Sequence, residues 1–287
     1  MNQIKRLEAE DSDRLSAPPG ILAGEPRART RPPKVIARLN LVCAILMVCG
    51  GSDWLRGQDS ETVPEDDWDI RIGAPFWASG LKGTVGVAGR EAHVDKDFTD
   101  FGDTFDFVVP LNLEMRKQRW LFFANGFYAE RSADAQAGGL LGGLIGGVDL
   151  NQKEVFVDFG LGYNLVPHRP VSLELFAGGR LGSVDAEIEA GAGGSFSRSK
   201  TWVDPIFGVV ARWRLGQRFT LFTEADVGGF GVSSDLTWQV NAGVEWNMFR
   251  HLYVRGSYRQ LDTEFDDAGF EYNVTEGGPQ LELGFRF

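Results

Sequence analysis

Cysteine, histidine and lysine are scarce in this 287-residue chain, and each scarcity removes a kind of chemistry. The 2 cysteines, Cys43 and Cys49, fall in one apolar stretch near the N-terminus, so a product cut beyond Cys49 has neither disulfide nor thiol. Of the 3 histidines, His168 and His251 fall in short turns and only His93 in a long link, which leaves a Ser-His-Asp hydrolase site short of a suitably placed histidine. The apolar stretch itself, LNLVCAILMVC from Leu39 to Cys49, has 11 residues. A helix that crosses a bilayer takes about 20. Clustered basic charge is lacking as well. The formal net charge of -11 argues against nucleic acid as a partner, because phosphate binding needs grouped Lys and Arg.

What the chain has in quantity is glycine, 37 residues, beside 21 Phe and 8 Trp. Gly is costly inside helices while aromatic side chains suit a pleated surface, so the expectation is an all-β protein. Residues 1–57 differ from the rest. They open polar, with Pro18-Pro19, Pro32-Pro33 and an arginine run, and then Lys34 and Arg38 precede the apolar stretch, with Gly50, Gly51 and Ser52 behind it. A basic n-region, a short h-region and small residues predict an N-terminal extension plus secretory signal over 1–57, cut between Gly51 and Gln58. The long lead suggests that translation starts further in. A core helix or a lipoprotein signal at Leu46-Met47-Val48-Cys49 are the competing readings, and Val48 stands where a lipoprotein prefers a small residue. A linker, 58–67, then leads to one domain over 68–287.

That domain alternates. In DLTWQVNAGVEWNMF, Leu236, Trp238, Val240, Ala242, Val244, Trp246 and Met248 fall on one side of a strand, and Thr237, Gln239, Asn241, Gly243, Glu245 and Asn247 on the other. The same period recurs over about ten segments: 69–88, 105–117, 119–132, 151–166, 170–185, 199–215, 218–229, 235–249, 251–264 and 272–287. Short connections take turns with long ones, at 89–106, 132–151, 185–200, 229–235 and 262–271. An up-and-down antiparallel barrel of ten strands follows, with eight as the alternative. Phe98, Phe101 and Phe105 have helical spacing in one long link and predict a short helix at the barrel mouth.

Alternation alone leaves open which face meets water, since a soluble lipid-binding calyx turns its apolar face inward. Three features turn it outward. Beyond residue 57 the chain holds 15 Arg and 5 Lys, as a crowded lumen prefers the planar guanidinium over an ammonium. The polar face pairs Arg71, Arg116, Arg180, Arg212, Arg214, Arg255, Arg259 and Arg286 with Glu114, Asp158, Glu174, Asp204, Glu224, Asp226, Glu245 and Glu282, with glycines between to make room. Aromatics gather near strand ends: Trp120, Tyr163, Trp213, Phe219, Trp246 and Phe287 by the short turns, Tyr128 and Trp238 by the other rim. They form girdles at the membrane interfaces. The expected partners are membrane lipid and the outer-membrane assembly machinery, with no cofactor.

The terminal QLELGFRF, 280–287, resembles the signal by which bacterial outer-membrane barrels are delivered for assembly, with Glu282 where that pattern usually has Gly. WVDPIFG (202–208), ADVGGFGVSSDLTWQ (225–239) and GSYRQLD (256–262) resemble segments of a family of uncharacterised bacterial outer-membrane β-barrel proteins, OmpA-like small barrels. The resemblance implies a fold and a location, and no activity.

Catalytic readings fall short. Asp204, Glu224 and Asp226 could serve acid/base chemistry as in ten-stranded outer-membrane proteases, but two of the histidines lie in short turns at the wrong rim. GGLLGGLIGG, 138–147, has no phosphate-loop ending and reads as a flexible loop. The acidic links, Asp95, Asp97, Asp100, Asp103 and Asp106, or Asp262, Glu264, Asp266 and Asp267, are candidates for divalent cations bridging to lipid headgroups, without EF-hand spacing. The sequence therefore predicts no catalytic or dedicated metal site. It predicts an envelope barrel with a structural or loop-mediated binding role, with a narrow porin-like channel as the alternative and a hydrolase or a soluble calyx behind it.

Overall fold

The computed structural model describes residues 67–100, 105–137, 147–166, 170–189 and 194–287. The expected signal, most of the linker and most of the glycine loop lie outside the described residues. Twelve strands carry the described chain: β1 (Asp69–Trp77), β2 (Gly80–Val87), β3 (Arg90–Lys96), β4 (Phe105–Lys117), β5 (Trp120–Ala137), β6 (Gly147–Val166), β7 (Val171–Glu189), β8 (Ser195–Leu215), β9 (Phe219–Gly229), β10 (Leu236–Asn247), β11 (Leu252–Asp267) and β12 (Phe270–Arg286). From β4 to β12 each strand pairs antiparallel with the next. β1 closes the ring by pairing with both β12 and β4. With β1 and its continuation β2 as one staved strand, the result is a closed ten-stranded transmembrane-type barrel.

The expected single strand 69–88 is broken at Ala78 and Ser79. There the chain crosses close to β12, where a Cβ on Gly278 would stand 1.9 Å from the Ala78 carbonyl oxygen. Only glycine permits that approach. Beyond the break, β2 turns through Ala88-Gly89 into β3, which pairs with the far end of β5 at Ala92 and His93. Of the expected helix over Phe98 to Phe105, the described residues show a 3-10 turn, Phe98–Asp100, and Phe105 at the start of β4, while Phe101 lies outside them.

Sequence reading also ends the strands too early. β5 to β8 run 18, 20, 19 and 21 residues, far beyond the 9–11 that a membrane strand needs, so most of the expected links 132–151 and 185–200 are ladder. The expected long link 262–271 is a two-residue hairpin, with Ala268 at φ 49° and Gly269 at φ 81°. Two consecutive positive φ angles make the primed turn whose twist matches the flanking strands.

The reason lies in a reversal of faces. At the end with the short turns, the near end, the outward face is apolar: Val171 and Leu175 on β7, Phe159, Leu161 and Tyr163 on β6, Phe207 and Trp213 on β8 are all exposed. Further along the same strands the outward residues become Ser183, Asp185, Glu187 and Glu189, or Lys153, Asn151 and Asp149. The inward face changes in the opposite sense. Val184, Ala186 and Ile188, with Val148, Leu150 and Phe156, are buried in a cluster that also takes Trp202, Phe265, Phe270 and Tyr272. The far half of the barrel is thus built like a soluble protein, apolar inside and polar outside. The expectation of a polar lumen throughout is corrected: charge pairs fill the near half, beside a smaller inward apolar cluster of Leu121, Phe123, Phe176, Ile206 and Val210.

β9 and β10 stop short at the turn 230–235, so above Ile206 on β8 and Glu264 on β11 no ladder joins those two strands among the described residues. Side chains close this seam instead. Trp202 stacks on Phe265 at 4.5 Å, Lys200 pairs with Asp267, and Asp204 accepts hydrogen bonds from the amide and hydroxyl of Ser234 at 2.8 and 2.5 Å.

Candidate functional site

The near lumen is filled by side chains that alternate inward from every wall. Glu114 on β4 accepts from Arg116 at 2.5 Å and from Arg255 at 2.9 Å. Arg255 also donates to Glu245 at 2.8 Å, and Arg71 reaches the same carboxylate at 3.0 Å. Glu174 accepts from Arg212 at 2.5 Å and Arg116 at 3.2 Å, and Asp69 from Arg286 at 2.9 Å. Glu282 takes Asn112 at 2.6 Å and the Tyr253 hydroxyl at 2.7 Å. A Cβ on Gly284 would stand 2.2 Å from the Tyr253 ring, so the inward glycine makes room for that phenol. These bonds cross the barrel as well as running along it, and they tie opposite walls together.

Midway up, Arg180 is 1% exposed and gathers Asp158 at 2.7 Å, Asp226 at 3.0 Å and the Thr237 hydroxyl at 3.0 Å. Arg259 donates to Gln239 at 2.8 Å and lies over the Trp77 ring at 4.6 Å. Between this layer and the near one is a cavity of about 50 Å³, lined among others by Glu224, Asn125, Asn241 and Gln280. A space of that size suits a few water molecules, whose polar partners line it.

Higher still, a third charged group sits under the apolar cluster. Arg131 on β5, Glu154 on β6 and Glu276 on β12 are 2%, 0% and 2% exposed. One guanidinium nitrogen, Arg131 Nη2, contacts both carboxylates, with Glu276 Oε1 at 2.8 Å. Sequence reading missed this trio. Its signal was available, since Arg131, Glu154 and Glu276 share parity with Phe127, Asp158 and Glu282, but each stands where the inward face turns apolar.

Most predicted lumen residues are where parity places them, facing the barrel interior. Two corrections apply. Asp204 is fully buried and bonded to Ser234 rather than to an arginine, because it caps the turn between β9 and β10. Glu224 makes no hydrogen bond or ion pair among the described residues and faces the cavity. The expected equality of charge also fails. Among the ion pairs of the described residues, the structure adds Asp69, Glu154 and Glu276 to the interior carboxylates and Arg131 to the guanidinium groups. Of the residues expected in the girdle, Trp120, Tyr163, Trp213, Phe219, Trp246 and Phe287 are exposed at the near end, and Trp120 packs on Tyr163 at 5.1 Å directly across the ladder. Trp238 is half-buried toward the far end.

No family model matches the chain, and no curated protein does. Solved structures do. The outer membrane protease OmpT of Escherichia coli is similar at 11% identity and a TM-score of 0.45, over 80% of this chain and 100% of its own. The attachment invasion locus protein Ail of Yersinia pestis follows at 18% and 0.32, over 77% and 99%, and a major outer membrane protein of Thermus thermophilus at 13% and 0.37, over 77% and 98%. These are likenesses of barrel architecture.

The protease-like trio does not form one constellation. Asp204 binds Ser234, Asp226 binds Arg180, and Glu224 faces the cavity. His93 meets Thr84 at 3.2 Å on the far hairpin, and His251 meets the Arg286 carbonyl at 3.0 Å at the near end, while His168 lies outside the described residues. Four acids of the acidic links are engaged by the protein's own groups. Lys82 sits between Asp95 at 3.1 Å and Asp97 at 2.6 Å, Asp267 pairs with Lys200, and Asp262 accepts from Thr275 at 2.5 Å. Asp103 and the side chains of Asp100 and Asp106 lie outside the described residues.

Proposed function

We propose that the protein is a plugged barrel of the bacterial outer membrane. Its near half anchors it in lipid, and its far half stands out as a solid-cored turret that presents its far-end connections for binding. The observation that carries this reading is the stacking of two obstructions in one lumen. Cross-barrel ion pairs close the near half, and Trp202, Phe265, Phe270 and Phe156 fill the far half, with the small polar cavity between. Paired charges in a narrow barrel leave little free section for a solute. An apolar interior in the far half is also what a calyx would have, but here side chains occupy it. The test is single-channel recording in planar bilayers. A plugged barrel gives a silent trace, whereas steady conductance steps would favour the diffusion channel. Export by the N-terminal signal is a separate part of the proposal, read out by N-terminal sequencing of the mature protein.

A further inference from the structure

The Arg131 site holds two carboxylates and one guanidinium shielded from bulk solvent, with Arg131 at the edge of the small polar cavity. Each acid has its own surroundings. Glu154 accepts at one oxygen from Gln152 at 2.7 Å and from the Tyr272 hydroxyl at 3.4 Å, and at the other meets Arg131. Glu276 meets Arg131 alone, and its second oxygen, Oε2, has no hydrogen-bond partner. Arg131 Nη2 also donates to Ser79 at 3.3 Å. Because both carboxylates converge on one nitrogen, they stand close to each other in a setting that screens poorly. Two like charges so placed cannot both persist beside a single positive group.

Among the described residues no cation besides Arg131 makes an ion pair with either acid, and Arg259 acts on Glu276 only through its field. β2 and β7 present Leu81 and Val184. Arg259 on β11 is bonded to Gln239 and faces Asp158 at 4.0 Å. Lys96 on β3 shares the inward face, two strands from Glu276 in register, and makes no ion pair with either acid. Tyr272 is a neutral donor here. The outward faces at this height carry Lys153, Glu130 and Thr275, so the site lies at or above the upper edge of the lipid band.

We propose that Glu154 and Glu276 together retain one proton at neutral pH, which makes the Arg131 trio a buried proton-binding site. The proton comes from water, resides on Glu276, and returns to water when the pH rises. Glu154 is the ionised member because Gln152 and the Tyr272 hydroxyl donate to it, in addition to the Arg131 contact that both acids share. Loss of the proton leaves two anions on one guanidinium beneath the apolar cluster, so deprotonation loosens β12 from β5 and β6 at the base of the turret.

Two measurements test this. Unfolding is compared for the full chain and Glu276→Gln, which keeps the shape and removes the titration. The folded-to-unfolded ratio of the parent should fall relative to the variant as pH rises through neutrality, by up to tenfold per pH unit for one proton. A parent-to-variant ratio that does not change with pH overturns the proposal. Infrared spectroscopy of the parent itself covers the case in which the variant does not fold. A protonated-carboxyl C=O band should be present at neutral pH and vanish in alkali, and its absence at neutral pH overturns the proposal equally.

Discussion

Arg180 shows what a single residue does in this lumen. Its guanidinium holds Asp158 and Asp226 and also donates to Thr237, so three strands besides its own meet on it. Removing it as Arg180→Ala strands two buried carboxylates, and breaking a buried pair this way costs about 3–5 kcal/mol. Arg286→Ala, at the near rim where that side chain is 32% exposed, should cost under about 1 kcal/mol. Urea titration followed by the heat-modifiable gel shift measures both. At the far hairpin the prediction runs the other way. Ala268 holds φ 49°, a region where Asn is at ease, so Ala268→Asn should stabilise by about 0.5–1 kcal/mol in the same assay. The lumen arginines were legible because parity alone points them inward. Which acid each one grips was not, since the partners sit across the barrel rather than along the strand.

At the level of the strand, the reversal of faces is the feature that sets everything else. Alternation in sequence survives the reversal unchanged, because polar and apolar residues still take turns; only the side on which each falls is exchanged. Reading Glu187 and Glu189 as loop rather than as ladder follows from expecting one face to stay apolar. The scarcity of lysine follows the same line. Lys82 and Lys153 stand outward, 51% and 60% exposed, at heights where the outward face is in water. Two substitutions separate the zones. Leu175→Arg in the lipid band of β7 should cost about 2–4 kcal/mol, and Ser197→Arg on the outward face of β8 above the band about 0–1 kcal/mol, by unfolding in bilayers. Across the seam, Trp202→Ala removes the ring stacked on Phe265 and should cost about 3–5 kcal/mol.

For the whole molecule, the near half being a membrane barrel and the far half a solid turret is a claim about where hydrocarbon ends. β7 carries the boundary between Leu181 and Ser183. Ring closure and strand number could be inferred from the meander of short and long connections. The height of the turret could not, because strand length beyond the membrane has no composition of its own. The direct measurement is spin labelling of single cysteines along the outward face of β7, in a background of Cys43→Ser and Cys49→Ser reconstituted in liposomes. Labels at 173, 175, 177 and 181 should collide with oxygen and those at 183, 185, 187 and 189 with aqueous nickel chelate. Nickel access at 175, or oxygen-dominated access through 189, would contradict the account.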